Sequence, residues 1–218
     1  MSSTTTLDKR ELQLAKEAAE WRLASMLFEC PSDAWRAQIT ALATEVGDAE
    51  LKSATHDALE EAEEGLFHYI FGPGGPAPAR EASYHQTVEL GYLMSEIQAY
   101  YNAFAYQPLA AEPPDHISVE TGFIAYLKLK QAYALACGEA EHAAIASEAA
   151  QSFIKDHLAI LANPLAGHLA NSGITYLEKA SAFVARKAGP LPVVAPILPI
   201  LQNQQEEEEY SCGSSPCE

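Results

Sequence analysis

Apolar residues recur every three or four positions through most of this chain, and no stretch alternates apolar and polar residues with period two. That regularity argues against half-buried sheet and leaves amphipathic helices as the building unit. Leu12, Ala19, Leu23 and Met26 fall on one helical face, and Leu14, Ala18, Trp21, Ser25 and Phe28 on the next. Together they predict a first helix of about six turns that ends at Cys30-Pro31. Ser32 has the chemistry of an N-cap for a second helix reaching Val46, where Gly47 and Asp48 break it. A third helix is expected from Ala49 to Phe71. The stretch "GPGGPAPAR", residues 72–80, cannot continue it, because Gly and Pro at this density do not hold a helix. A fourth is expected from Ser83 to Ala105, carrying Tyr92, Tyr100, Tyr101 and Phe104. A fifth, from His116 to Cys137, is apolar nearly all round through Ile117, Phe123, Ile124, Leu127, Tyr133 and Leu135, which places it at the centre of a bundle. A sixth runs from Ala140 to Leu161 and is expected to stop before Asn163-Pro164. A short seventh precedes an eighth, from Gly173 to Ala188, that Gly189-Pro190 terminates. No repeat of fixed period is present. The fold class is therefore all-α, a single compact bundle of about seven or eight helices over residues 1–189.

Residues 190–218 differ in character. "LPVVAPILPIL" is apolar but holds three prolines, and "QNQQEEEEYSCGSSPCE" is polar and acidic; the expectation is an extended segment followed by a disordered tail. Cys212 and Cys217 in that tail offer half a metal site, a redox pair, or merely exposed thiols. The formal net charge of −17 argues against a nucleic-acid surface and favours a basic partner. The N-terminus "MSSTTTLDKREL" lacks the apolar core of a secretory signal, and no run approaches the roughly 20 apolar residues of a membrane span. A cytoplasmic location with reduced cysteines follows as an expectation, with Cys30 and Cys137 read as packing residues.

The chemistry-bearing residues gather around "EPPDHISVETGF", residues 112–123. Pro113 and Pro114 push the chain away from helical geometry, so that Asp115 is placed to cap the fifth helix and favour its dipole. His116, at the first helical position, is expected to point away from the helix body. His116 and Glu120 share a face at i, i+4 and could meet, though two ligands are too few for a metal. A second pair, Asp156-His157, reads as a satisfied polar pair on a helix flank. His68 and His85 flank the Gly/Pro loop. That loop lacks the Lys-Ser/Thr of a phosphate cradle, and its prolines remove N–H donors. No nucleophile elbow, His-Glu-x-x-His helix or dinucleotide fingerprint is present, so no catalytic residue is assigned. An all-α metal-binding enzyme or sensor, with His116, Glu120, Asp156 and His157 converging on an ion, stays open as an alternative.

The order of these segments resembles the TorD/DmsD/NarJ family of redox-enzyme maturation chaperones. The resemblance is carried by Ile70-Phe71, Gly72-Pro73-Gly74 and Glu81-Ala82-Ser83-Tyr84, then by Pro114-Asp115-His116 with Glu120, then by Phe153, His157 and Leu158. Thr121 and Leu161 stand where the family often has Leu and Trp. The resemblance implies an all-helical, non-enzymatic protein of the cytoplasm, monomer or homodimer. Its partner would be the apo catalytic subunit of a molybdopterin-dependent oxidoreductase, and in some members the twin-arginine signal peptide of that subunit. Gly72, Pro73, Gly74, Glu81, Tyr84, Pro114, Asp115, His116, Glu120 and His157 are the client-binding residues it implies. No metal and no permanently bound cofactor are implied, only transient contact with molybdopterin guanine dinucleotide or GTP. On this reading Asp115 presents charge to a basic client, and His116 is a contact on a groove rim.

Overall fold

The computed structural model describes residues 8–85 and 88–191. Helix α1 (Lys9–Leu27) opens with a capping box in which Asp8 and Glu11 satisfy each other's backbone N–H groups. Helix α2 (Asp33–Ala43) is capped as expected, Ser32 accepting from the Trp35 N–H. Next come α3 (Ala49–Glu61) and α4 (Glu64–Phe71), a 3₁₀ turn over Glu81–Tyr84, α5 (Leu90–Ala103) and α6 (Ile117–Ala136). Helix α7 (Ala140–Phe153) runs through a π turn (Ile154–Leu158) into α8 (Ala159–Leu169), and α9 (Thr175–Ala188) ends on Gly189 at φ 80°. With α7 and α8 counted as one interrupted helix, the described residues form eight, and the expected all-α class holds.

Helix α6 lies at the centre, packed along α1 on one side and α7 on the other, while α9 closes the opposite face against α3 and α8. Its first half is buried without interruption from Ile117 to Ala125, as a helix apolar on all sides must be. An aromatic stack joins the neighbouring helices: Tyr101 meets Phe123 at 4.8 Å, Phe123 meets Phe153 at 4.9 Å, and Phe153 meets the His157 ring at 4.9 Å. The Tyr101 hydroxyl leaves this apolar layer by donating to the Pro114 carbonyl at 2.8 Å.

Several boundaries differ from the sequence expectation. The helix expected over Ala49–Phe71 is two, because Ala62 and Glu63 are extended between α3 and α4. The Arg36 guanidinium donates to the Leu59 and Ala62 carbonyls there and so ends α3. The fourth helix begins at Leu90, since Ser83 belongs to the 3₁₀ turn. Pro164 does not stop a helix but sits inside α8, where Asn163 Nδ2 donates to the Ala159 carbonyl and to that of Gly189. Cys137 and Tyr133 are exposed rather than packed, while Cys30 is half-buried. The Pro-rich segment from residue 192 and the tail with Cys212 and Cys217 lie outside the described residues.

Candidate functional site: a buried polar knot beneath the Gly/Pro loop

The loop after α4 is built by backbone crowding. A Cβ on Gly72 would lie 2.2 Å from the His68 carbonyl oxygen, and one on Gly75 would lie 2.3 Å from that of Ile70, so only glycine lets the chain fold back on α4. The Ala77 N–H then donates to the Ile70 carbonyl. From Ala79 the chain runs antiparallel to the segment before α6: Arg80 and His116 form an isolated β-bridge, the Glu81 N–H donates to the Asp115 carbonyl at 2.8 Å, and the Ile117 N–H to the Ala79 carbonyl at 2.9 Å. Two stretches that the sequence marks separately are thus stitched together. Tyr84 secures the far end, its hydroxyl donating to the Pro78 carbonyl at 2.7 Å and its ring leaning on His168.

Side chains continue the same joint inward. Asp115 is fully buried; it accepts from Arg80 Nε at 2.9 Å and from the Ala82 N–H at 3.3 Å. Glu81, also fully buried, spans two histidines, with His85 Nε2 at 2.7 Å and His157 Nδ1 at 3.2 Å. His157 reaches Glu81 from the π turn, a local widening that recurs at functional sites. Glu120 completes the group. It is wholly buried, and as a carboxylate neither of its oxygens has a hydrogen-bond donor. Burial first, then the charges of Glu81 and Asp115, hold its carboxyl well above the usual range; as an acid it is placed to donate to Glu81.

The expected cap is reversed. Asp115 does not cap α6, because its carboxylate is turned across to Arg80; His116 is the N-cap instead. His116 Nδ1 accepts from the Ser118 N–H at 3.3 Å and lies 2.7 Å from the Ser118 hydroxyl, which leaves a neutral ring with its proton on Nε2. Burial, helped by the nearby Arg80 charge, lowers its pKa to about 3. His116 therefore does not point away from the helix or stand on a rim: it is 3% exposed and edges against Phe71. The Asp156-His157 pair is also divided, His157 facing inward to Glu81 and Asp156 facing solvent. His116, Glu120, Asp156 and His157 do not assemble a group of metal-ligating atoms.

Of the ten residues singled out by resemblance, the knot gathers Glu81, Asp115, His116, Glu120 and His157. Tyr84 and Pro114 lock its ends, and only Pro73 and Gly74 are exposed, at the loop tip beside the exposed Tyr69. Sequence reasoning missed Arg80, whose partner is distant in the chain. His85 flanks the loop in sequence, and its i, i+4 spacing from Glu81 is the signal that joins it to the knot.

A second feature shares α6 with the knot. Between α1 and α6, under the segment 105–110, lies an open, mainly apolar groove of about 580 Å³. Ala15, Ala18, Gly122, Ala125 and Leu129 line it, with Leu109 at its lip. Ser118 belongs to both features: it lines the groove, and its hydroxyl meets His116.

Among the described residues, no helix is long and apolar enough to cross a membrane. No curated protein matches the chain. A family model described as the nitrate reductase delta subunit matches residues 29–165, a span that holds the Gly/Pro loop, the knot and the π turn. On that match, which covers more than half its length, the chain belongs to the nitrate reductase delta subunit family, the NarJ/TorD type of chaperone.

Proposed function

We propose that the protein is a cytoplasmic chaperone that binds the apo catalytic subunit of a molybdopterin-dependent oxidoreductase and keeps it open for insertion of the molybdenum cofactor. The family is one of molybdoenzyme maturation. The observation that supports the finer reading is the adjacency of knot and groove on α6. A fixed polar joint supports an exposed loop tip, and next to it an apolar groove is open to a client segment. A twin-arginine leader, cationic and then apolar, suits this protein: the net charge of −17 steers the basic part, and the groove receives the apolar part. On this reading Pro73, Gly74 and the groove walls touch the client. Glu81, Asp115, His116, Glu120 and His157 act by holding that surface in place.

The test is a pull-down with the full chain as bait from its native cells grown under anaerobic respiration, read by mass spectrometry. Enrichment of one molybdopterin oxidoreductase subunit is expected. Capture of no such subunit, in cells shown to be making them, would overturn the proposal.

A further inference from the structure

We propose that Cys30, Glu64 and His68 form a binding site for a divalent transition-metal ion of the zinc type. Their ligand atoms, a thiol sulfur, a carboxylate oxygen and an imidazole nitrogen, all lie within 4.8 Å of one another. The three come from two parts of the chain. Cys30 stands at the corner between α1 and α2, and Glu64 and His68 are one turn apart on the outer face of α4.

Three arguments support a site rather than chance proximity. The first is donor chemistry: one sulfur, one nitrogen and one oxygen suit zinc or cobalt, whereas calcium and magnesium take oxygen alone. The second is spacing. A tetrahedral ion with bonds of about 2.0–2.3 Å sets its ligand atoms about 3.5 Å apart. Glu64 Oε1 and His68 Nε2 already stand at 3.7 Å, and both side chains are exposed, so small rotations bring the set together. The third is the frame. Two residues before Cys30, Phe28 packs edge-on against Phe71 of α4 at 6.3 Å, and Phe71 against Phe67 at 5.3 Å, so the backbones carrying the donors are held to each other.

Burial first, then the charges of Glu64 and Glu112, raise the Cys30 thiol's pKa, so without an ion the sulfur keeps its proton at neutral pH. As the sulfur–metal bond forms, the thiol proton passes to solvent. Three protein ligands leave a fourth position for water or for a group from a partner. Such an ion would bolt α4 to the end of α1, immediately before the Gly/Pro loop. The proposal does not depend on the client reading.

The test is a cobalt titration of the full chain, followed by the thiolate-to-cobalt charge-transfer band, with zinc added afterwards as competitor. The expected result is saturation at one ion per chain, displacement by zinc, and a higher thermal midpoint with zinc bound. Cys30→Ser should abolish the band. Glu64→Gln and His68→Ala, both at exposed positions, should each weaken binding by more than the roughly 10–100-fold that losing an outer-shell partner costs. A variant carrying Cys212→Ser and Cys217→Ser should keep the band. No band in the intact chain, a band that survives Cys30→Ser, or affinity unchanged in both Glu64→Gln and His68→Ala would overturn the site.

Discussion

One face of the first turns of α6 meets a buried knot of ionisable groups through Glu120, whereas another, marked by Ser118, Gly122, Ala125 and Leu129, opens onto an apolar groove. The knot holds the residues that carry the family resemblance, and almost none of them reaches the surface. The groove is a surface with room for the proposed client, and apart from Ser118, Gly122, Arg22 and Gln107 it is lined by ordinary Ala, Leu and Tyr that no motif marks. On the proposed reading, what resembles a binding motif is chiefly scaffolding. Charged groups taken out of water must be paired, and pairing demands particular residues in particular places. An apolar wall tolerates many sequences.

Substitutions in the two regions should therefore separate stability from binding. The largest loss of stability is expected from Arg80→Ala, which leaves the buried Asp115 carboxylate without its cation. A fully buried broken pair costs about 3–5 kcal/mol; because the Arg80 side chain is 42% exposed, about 2–4 kcal/mol is expected from urea unfolding. Gly72→Ala should follow, at about 1–3 kcal/mol, since its Cβ meets the His68 carbonyl.

Glu120→Gln should act in the opposite direction. The amide imitates the protonated acid, so the variant should gain about 1–3 kcal/mol near neutral pH. The sign follows from linkage. Glu120 has a raised pKa when folded, so its penalty grows as pH rises above the ordinary carboxylate range, and the amide removes that penalty. His116 works the other way. Its folded pKa of about 3 lies below the unfolded value near 6.5, so stability is lost as pH falls from 6.5 towards 3. Unfolding curves across that window should show an acid loss that persists in Glu120→Gln. An unchanged pH profile in that variant would mean Glu120 is ionised in the fold.

The smallest change in stability belongs to the groove. Leu109 is 87% exposed and Leu129 56%, so Leu109→Asp with Leu129→Glu should alter stability by no more than about 0.5 kcal/mol per site. The same pair should nevertheless lower client capture in the pull-down by tenfold or more. If capture survives there and is lost with Pro73→Ala, the client sits on the loop tip instead.

Much of the fold could be read from local rules. Ser32 caps α2 and Gly189 ends α9 because each decision is made by neighbours in sequence. The errors have distant causes. Helix α3 stops where Arg36 takes the Ala62 carbonyl, and Asp115 gives up the cap of α6 because Arg80 competes for its carboxylate. The segments marked by resemblance are the ones that meet in the knot, but nothing in the pattern told inside from outside. In the Cys30 cluster, too, the sequence separates the donors, with Cys30 reading as core and His68 as a flank of the loop.

The π turn at Ile154–Leu158 has one more consequence. Before it, Ala143, Ala146, Ala150 and Phe153 keep one angular phase, which serves α6; after it, Leu161, Leu165 and Leu169 keep another, which serves α9. The turn works as a phase shifter, one surplus residue that lets a single rod mesh with two partners set at different angles. Winding the same five residues as regular α-helix would rotate everything beyond them by roughly one residue's turn, about 100°. This stretch, for all its polar composition, therefore needs its turn geometry kept.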